Sequence, residues 1–207
     1  MDLKKRKILE IVRTMALAEG IEKVTIERIC EAAELGNNDF DEYFKSTADL
    51  VSQVLAYERE NFASIFDRHD FEGVNAIEIL LTVSKEMADK FQDVNPFVTI
   101  PLKTRWPTEY QKHFDQRISF IFSKIKINLQ KGISQGLYRP DLSIELIGRL
   151  YISRLVDLHN PDLFPPEKFN FNTLFEVMFD NFIRGIATKE GLSYYEEHKP
   201  LYSFKTS

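Results

Sequence analysis

Apolar positions return at helical spacing along nearly the whole chain, and no stretch of useful length alternates as a strand does. The first run sets Ile8, Ile11, Val12, Met15 and Ala16 on one face from about Lys4, and Gly20 stands where a left-handed residue ends such a helix. Thr25 precedes Ile26, Ile29 and Ala33, so its hydroxyl is placed to accept from a free amide at the start of a short second helix. Glu34-Leu35-Gly36 makes a turn. Asn37 or Asn38 then caps a third short helix that buries Phe40, Tyr43 or Phe44. Ser46, with Asp49 three residues on, opens a long fourth helix to about Arg68.

Further runs follow at Asn75 to Gln92 (Ile77, Leu80, Leu81, Val83, Met87, Phe91) and Pro107 to about Gln135 (Tyr110, Phe114, Ile118, Ile121, Ile125, Leu129). Ser143 to Asp157 and Asn172 to Ala187 complete the set, with Ser143 and Asn172 as caps. Prolines at 96, 101, 140, 161, 165 and 166 fall mainly between these runs. The expected fold class is all-α. Three short helices with a tight turn between the second and third predict a helix-turn-helix headpiece over residues 1–46, with a larger helical domain over 47–207.

Within residues 4 to 55, the segments ILEIVRTMALAEG, VTIERICEAAELG, YFKS and ADLVSQVL, in that order, resemble the N-terminal domain of the TetR (tetracycline-repressor) family of bacterial transcriptional regulators. Tyr43-Phe44-Lys45-Ser46 leading into a helix is the most specific of these matches. The resemblance implies operator DNA as a partner and a second domain that binds a small-molecule effector and forms a homodimer. The helices near 143–157 and 172–187 would make that dimer. It also implies that the ligand tilts the fourth helix and releases the DNA. Lys45 matches a position that touches phosphate, and Thr25 a capping residue that does so through its amide.

The turn and third helix depart from the family pattern. Asn37 replaces the usual basic residue, Asp39 the usual threonine and Asp41 the usual phosphate-binding tyrosine, while Phe40, Tyr43 and Phe44 keep the core positions in kind. Glu27 stands where many members have arginine. Residues 1 to 50 hold eight Lys or Arg against eleven Asp or Glu, a net of −3, which weakens phosphate binding and flattens its salt dependence. Against this stand the basic arm Lys4-Lys5-Arg6-Lys7, the adenine-pairing capacity of Asn37 and Asn38, and the ability of one carboxylate, such as Asp39, to accept from a cytosine amino group. The candidate DNA-contacting set is Lys4, Lys5, Thr25, Asn37, Asn38, Asp39, Tyr43 and Lys45. Plain helix capping and a solvated helix start are the competing readings. The alternative function is a TetR-fold lipid or small-molecule binding protein that has lost operator binding through its acidic recognition helix.

Composition narrows the rest. The chain has 207 residues, 43% hydrophobic and 13% aromatic, enough for a substantial core, and its net charge of −5 gives no global attraction to nucleic acid. The longest apolar stretches, IEILLTV from Ile77 and LYISRLV from Leu150, are too short to span a bilayer, and MDLKKRKILE is no secretory signal. A soluble cytoplasmic protein without a membrane partner is expected. Lone Cys30 supports neither disulfide nor zinc chemistry, and His69, His113, His159 and His198 show no metal-binding spacing, so no metal, cofactor or catalytic residue is expected. Gly132-Ile133-Ser134-Gln135-Gly136 fits the hydrolase elbow G-x-S-x-G, but a helix precedes it where the elbow needs a strand.

Seventeen phenylalanines and the helical spacing of those beyond residue 60 suggest a chamber for an apolar effector. Its candidate lining is Phe62, Phe66, Phe91, Trp106, Tyr110, His113, Phe114, Tyr151, Arg154 and Phe179, with simple core packing as the competing reading.

Overall fold

A computed structural model describes residues 2–91 and 99–202, apart from the side chains of 37–39, 88–91, 99 and 100. Among the described residues the protein is all-α, with ten α-helices. They are α1 (Leu3–Glu19), α2 (Ile26–Ala33), α3 (Asn37–Tyr43), α4 (Thr47–Asp67), α5 (Ala76–Phe91), α6 (Thr99–Arg105), α7 (Pro107–Ser134), α8 (Ile144–Asp157), α9 (Phe171–Ile186) and α10 (Lys189–His198). Two compact units result. One comprises Met1–Ser64 with Asp93–Arg117, the other Ile65–Gln92 with Ile118–Ser207.

Local chemistry sets most of the boundaries. Asp2 caps α1, Thr25 accepts from the Arg28 amide at 3.4 Å, and the Asn75 side chain accepts from the Glu78 amide at 2.9 Å. Ser46 and Asp49 cap α4 in the manner of a capping box, with the return bond coming from the residue before the cap. The Asp49 amide donates to the Ser46 hydroxyl at 3.1 Å and the Lys45 amide to the Asp49 carboxylate at 3.0 Å. Gly20 closes α1 at φ 91°, while α2 ends on Glu34 in the left-handed region at φ 56°, where a residue with a Cβ costs roughly 1 kcal/mol relative to glycine.

Two capping expectations shift. α3 already includes Asn37, so its cap position falls on Gly36 and neither asparagine is the N-cap. At α9 the cap is Asn170, which accepts from the Asn172 amide at 2.8 Å, and Asn172 is buried inside the first turn. Two helices lie where no run was expected. In α6, Pro101 sits within the first turn, where its missing N–H costs nothing; α10 follows a Thr188 cap. G-x-S-x-G lies across the end of α7, with the Ser134 hydroxyl donating to the Lys131 carbonyl at 2.7 Å and Gly136 at φ 72° turning the chain, so the elbow geometry is missing.

Among the described residues the first unit has two apolar clusters. In one, Ile8, Leu9 and Val12 of α1 meet Ile29 and Cys30 of α2, Phe40 of α3, Phe44, and Leu50, Val54 and Tyr57 of α4. The other joins Ala16, Ile21, Val51 and Leu55 to Leu102 of α6, with Trp106 and Tyr110 packed against it. In the second unit, Asn128 of α7 is a buried polar hinge-point: its amide donates to the Ala76 carbonyl at 2.8 Å and its oxygen accepts from the Tyr138 hydroxyl at 3.1 Å. Tyr195 of α10 is buried against Phe179 and donates to Asp180 at 3.1 Å, so this tyrosine belongs to the core.

Helix α10 lies so close to the chain before it that a Cβ on Gly191 would run into the Leu137 carbonyl oxygen. Gly191→Ala is therefore expected to destabilise the protein by about 2 to 3 kcal/mol, read as a lowered urea midpoint at constant m-value. An unchanged midpoint would mean that α10 moves freely aside.

Candidate functional site

The hydrophobic face of α3 orients everything around it. Phe40 and Phe44 are buried one turn apart, their rings 5.1 Å between centroids, which turns Asp41 and Glu42 outward to solvent. At the C-terminal end of this helix the start of α1 crosses: the Lys4 ammonium lies 6.0 Å from the Tyr43 ring centroid and that of Lys5 5.6 Å from Phe44. Lys45 is exposed beside them. The charges of Lys5 and Lys45 both act on Asp49, whose carboxyl is held below its ordinary range first by the Lys45 amide. Lys4, Lys5, Tyr43 and Lys45, four of the expected contacts, thus gather at one end of α3.

Thr25 is exposed at the start of α2, where it caps; Asn37, Asn38 and Asp39 belong to α3, with side chains outside the described residues. Arg28 is committed elsewhere, donating to both oxygens of Glu19 at 2.9 and 2.8 Å and to the Lys23 carbonyl at 2.9 Å. Glu27 is held below its ordinary pKa by its own backbone amide and by the Thr25 hydroxyl, so it serves as a helix-start charge.

The expected effector residues fall in both units. In the first, Phe62 is buried, and Trp106, Tyr110, His113 and Phe114 are partly buried on or beside α7. Arg59 of α4 donates to the Leu55 carbonyl at 3.2 Å and contacts His113 Nδ1 at 3.0 Å. Burial and the neighbouring cations Arg117 and Arg59 push His113 down to about 4, so it is a neutral ring, and its Nδ1 lies 3.1 Å from the Leu55 carbonyl as well as beside Arg59. The Arg117 guanidinium lies 5.3 Å from the Phe62 ring centroid, and its pKa is lowered by burial. Glu58, whose charge acts on Arg117, also pairs with Arg13 of α1. In the second unit Phe66 packs edge-on against Phe120, Tyr151 stands 4.6 Å from Phe182 and Phe179 is fully buried, while Arg154 is exposed on α8; the Phe91 side chain lies outside the described residues.

No family model matches the chain. It is 20% identical over 156 residues to YfiR of Bacillus subtilis, described as an uncharacterized HTH-type transcriptional regulator, which covers 73% of this chain and 76% of the relative. A TetR transcription regulator from Haloarcula marismortui superposes with a TM-score of 0.73 at 16% identity, over 89% of this chain and 98% of that one. The TetR family protein CprB from S. coelicolor gives 0.69 at 14% identity over 98% of each chain. A protein from Saccharomonospora viridis described as a transcriptional regulator, solved with choline, gives 0.70 at 17% identity over 89% and 98%. The chain has the TetR-family fold.

Within the TetR fold, the residues that sequence reasoning passed over are Arg59, Arg117 and Glu58. Their signal was present. Leu55, Glu58, Arg59 and Phe62 on α4, and Tyr110, His113, Phe114 and Arg117 on α7, recur at i, i+3, i+4 and i+7, the spacing of an interior stripe that ordinarily carries only apolar residues.

Because His113 stays neutral in the folded protein, the unfolded chain takes up a proton first as pH falls. The protein is expected to lose about 3 kcal/mol of stability through this residue between about pH 6.5 and pH 4, and to keep it above that window. His113→Gln should flatten the stability curve in that range in chemical denaturation; an identical slope in both proteins would show that His113 carries its proton in the fold.

Proposed function

We propose that this chain is a cytoplasmic TetR-like transcriptional regulator that binds operator DNA as a dimer and is released by a small-molecule effector. The observation that carries the DNA half is the gathering of Lys4, Lys5 and Lys45 around Tyr43 at one end of an α3 whose Asp41 and Glu42 are unshielded by the protein. Ammonium groups there are placed for phosphates flanking a groove, while the outward carboxylates face the base edges, where they accept from cytosine amino groups. Catalysis has no part in this reading.

A dimer is supported by the outer faces of α8 and α9. Leu146 and Leu150, one turn apart on α8, are 61% and 58% exposed, and Val177 on α9 is 55% exposed. Apolar side chains this open, on two neighbouring helices, suit an isologous interface with a second copy. The small-molecule half is supported by the polar groups on α4 and α7 and by the choline found with one structural neighbour.

The second reading, a TetR-fold ligand-binding protein without an operator, is favoured by one observation, the exposure of Asp41 and Glu42 on the face that would meet a polyanion. Selection of binding sites from random DNA at low and moderate salt separates the two. Enrichment of a palindrome supports the regulator, and none at either salt supports the alternative.

On the selected site, Lys45→Ala is expected to weaken binding several-fold alike across sequence variants and to reduce the salt slope by about 1. A loss confined to one base position would assign Lys45 to base reading. Leu150→Asp is expected to convert the dimer to a monomer in light scattering while circular dichroism keeps its helical signal; a dimer that survives would move the interface elsewhere.

A further inference from the structure

The seam between α4 and α7 in the first unit is unusual in its chemistry, and the following rests on the effector reading above. Interior stripe positions on both helices carry two guanidiniums, an imidazole and a phenol: Arg59 and Arg117, His113, and Tyr110. Burial works against all of these charges. It lowers Arg59 and Arg117, and it lowers His113. Apolar side chains of similar volume would pack there at no such cost, so stability alone does not account for cations in this seam. Each is also held in place. Arg59 is fixed by the Leu55 carbonyl and packed beside the His113 ring, and Arg117 lies against the face of Phe62. Guanidiniums immobilised at a partly dry site, with Arg117 over Phe62 and with Phe114 one turn before it on α7, are what an anionic head group with an apolar body requires.

We propose that Arg59 and Arg117 hold the anionic head, a carboxylate or phosphate, of an amphiphilic effector whose apolar part lies along Phe62 and Phe114. Occupation is felt by α1. Glu58 is the carboxylate acting on Arg117 and is at the same time the partner of Arg13, which also lies 3.7 Å from Glu10; Glu10 in turn accepts from the Tyr57 hydroxyl at 2.5 Å. An arriving anion competes with Glu58 for Arg117 and so changes the load on the tie between α1 and α4. A ligand that binds more tightly to one setting of that tie shifts the helix that carries Lys4 and Lys5.

The test uses four ten-carbon probes on the full-length protein by calorimetry: decanoate, decyl phosphate, decanol and decyltrimethylammonium. At least one of the two anions is expected to bind about tenfold or more tightly than decanol, and which of them leads tells carboxylate from phosphate. Arg59→Gln and Arg117→Gln should each reduce that preference, taken as the ratio of anion to decanol affinity within the same variant, to about threefold or less, and Arg117→Lys should restore part of it. Should the Gln variants not fold, Glu58→Gln is the independent check: removing the competing carboxylate should tighten the favoured anion several-fold. Decanol or the ammonium binding as tightly as either anion, or an anion preference that survives both Gln substitutions, overturns the assignment and leaves the effector reading standing. Binding of none of the four overturns both.

Discussion

Helix α4 has to satisfy two apolar clusters at once. Leu50, Val54 and Tyr57 turn toward α1, α2 and α3, while Val51 and Leu55 turn toward Ile21, Leu102 and the end of α1. Few helices of a small unit bury two adjoining faces, and the consequence is positional. With each large buried side chain contributing about 2 kcal/mol, α4 cannot rotate without losing one cluster or the other. The headpiece is therefore anchored to α4 on one face and α6 on the next. The capping box at Ser46 and Asp49 fixes where α4 begins, and so where Lys45 sits relative to α3.

The same helix explains the charges. After Leu55 the inward stripe continues with Glu58, Arg59 and Phe62, so the register that buries the apolar residues also presents the ionic ones to α7. Arg13 reaches Glu58 from α1, Tyr57 reaches Glu10 in the opposite direction, and Arg117 and His113 complete the group from α7. Partly buried ions of this kind contribute little to stability unless every partner is in place. What they do supply is sensitivity: a new charge among them redistributes several pairings, and those pairings link α1, α4 and α7.

Elements with a long apolar period or a side-chain cap were readable from the sequence. α1, α2, α4, α5, α7 and α8 begin within a few residues of where Ile8 to Ala16, Thr25, Ser46, Asn75, Pro107 and Ser143 place them. What escaped was set by tertiary context. α6 is seven residues long with a proline in its first turn, and Leu102 earns its place only against Ile21 and Leu55, far away in the chain. α10 begins with charged and glycine residues, and Tyr195 shows its role only once Phe179 and Asp180 are beside it. At α9 the sequence pointed to Asn172, but Asn170, a residue of the same capping propensity two positions earlier, takes the cap. The α3 end of the candidate interface was legible because YFKS is distinctive. The seam between α4 and α7 left a signal only in its spacing, because Arg59 and Arg117 are residue types that ordinarily face solvent and mark an interior only once the two stripes are set against one another.

The acidic character of α3 changes what kind of DNA reader such a headpiece can be. Under the proposed function, three lysines per head would give a dimer on the order of six phosphate contacts, enough for a salt-dependent attachment of moderate strength. Exposed Asp41 and Glu42 would subtract from that attachment on every sequence alike, since phosphates are everywhere. Only where a cytosine amino group comes within reach does a carboxylate return a favourable hydrogen bond. The penalty is thus general and the compensation local. A head built this way sacrifices non-specific affinity more than specific affinity, and discrimination between operator and bulk DNA is set by that difference.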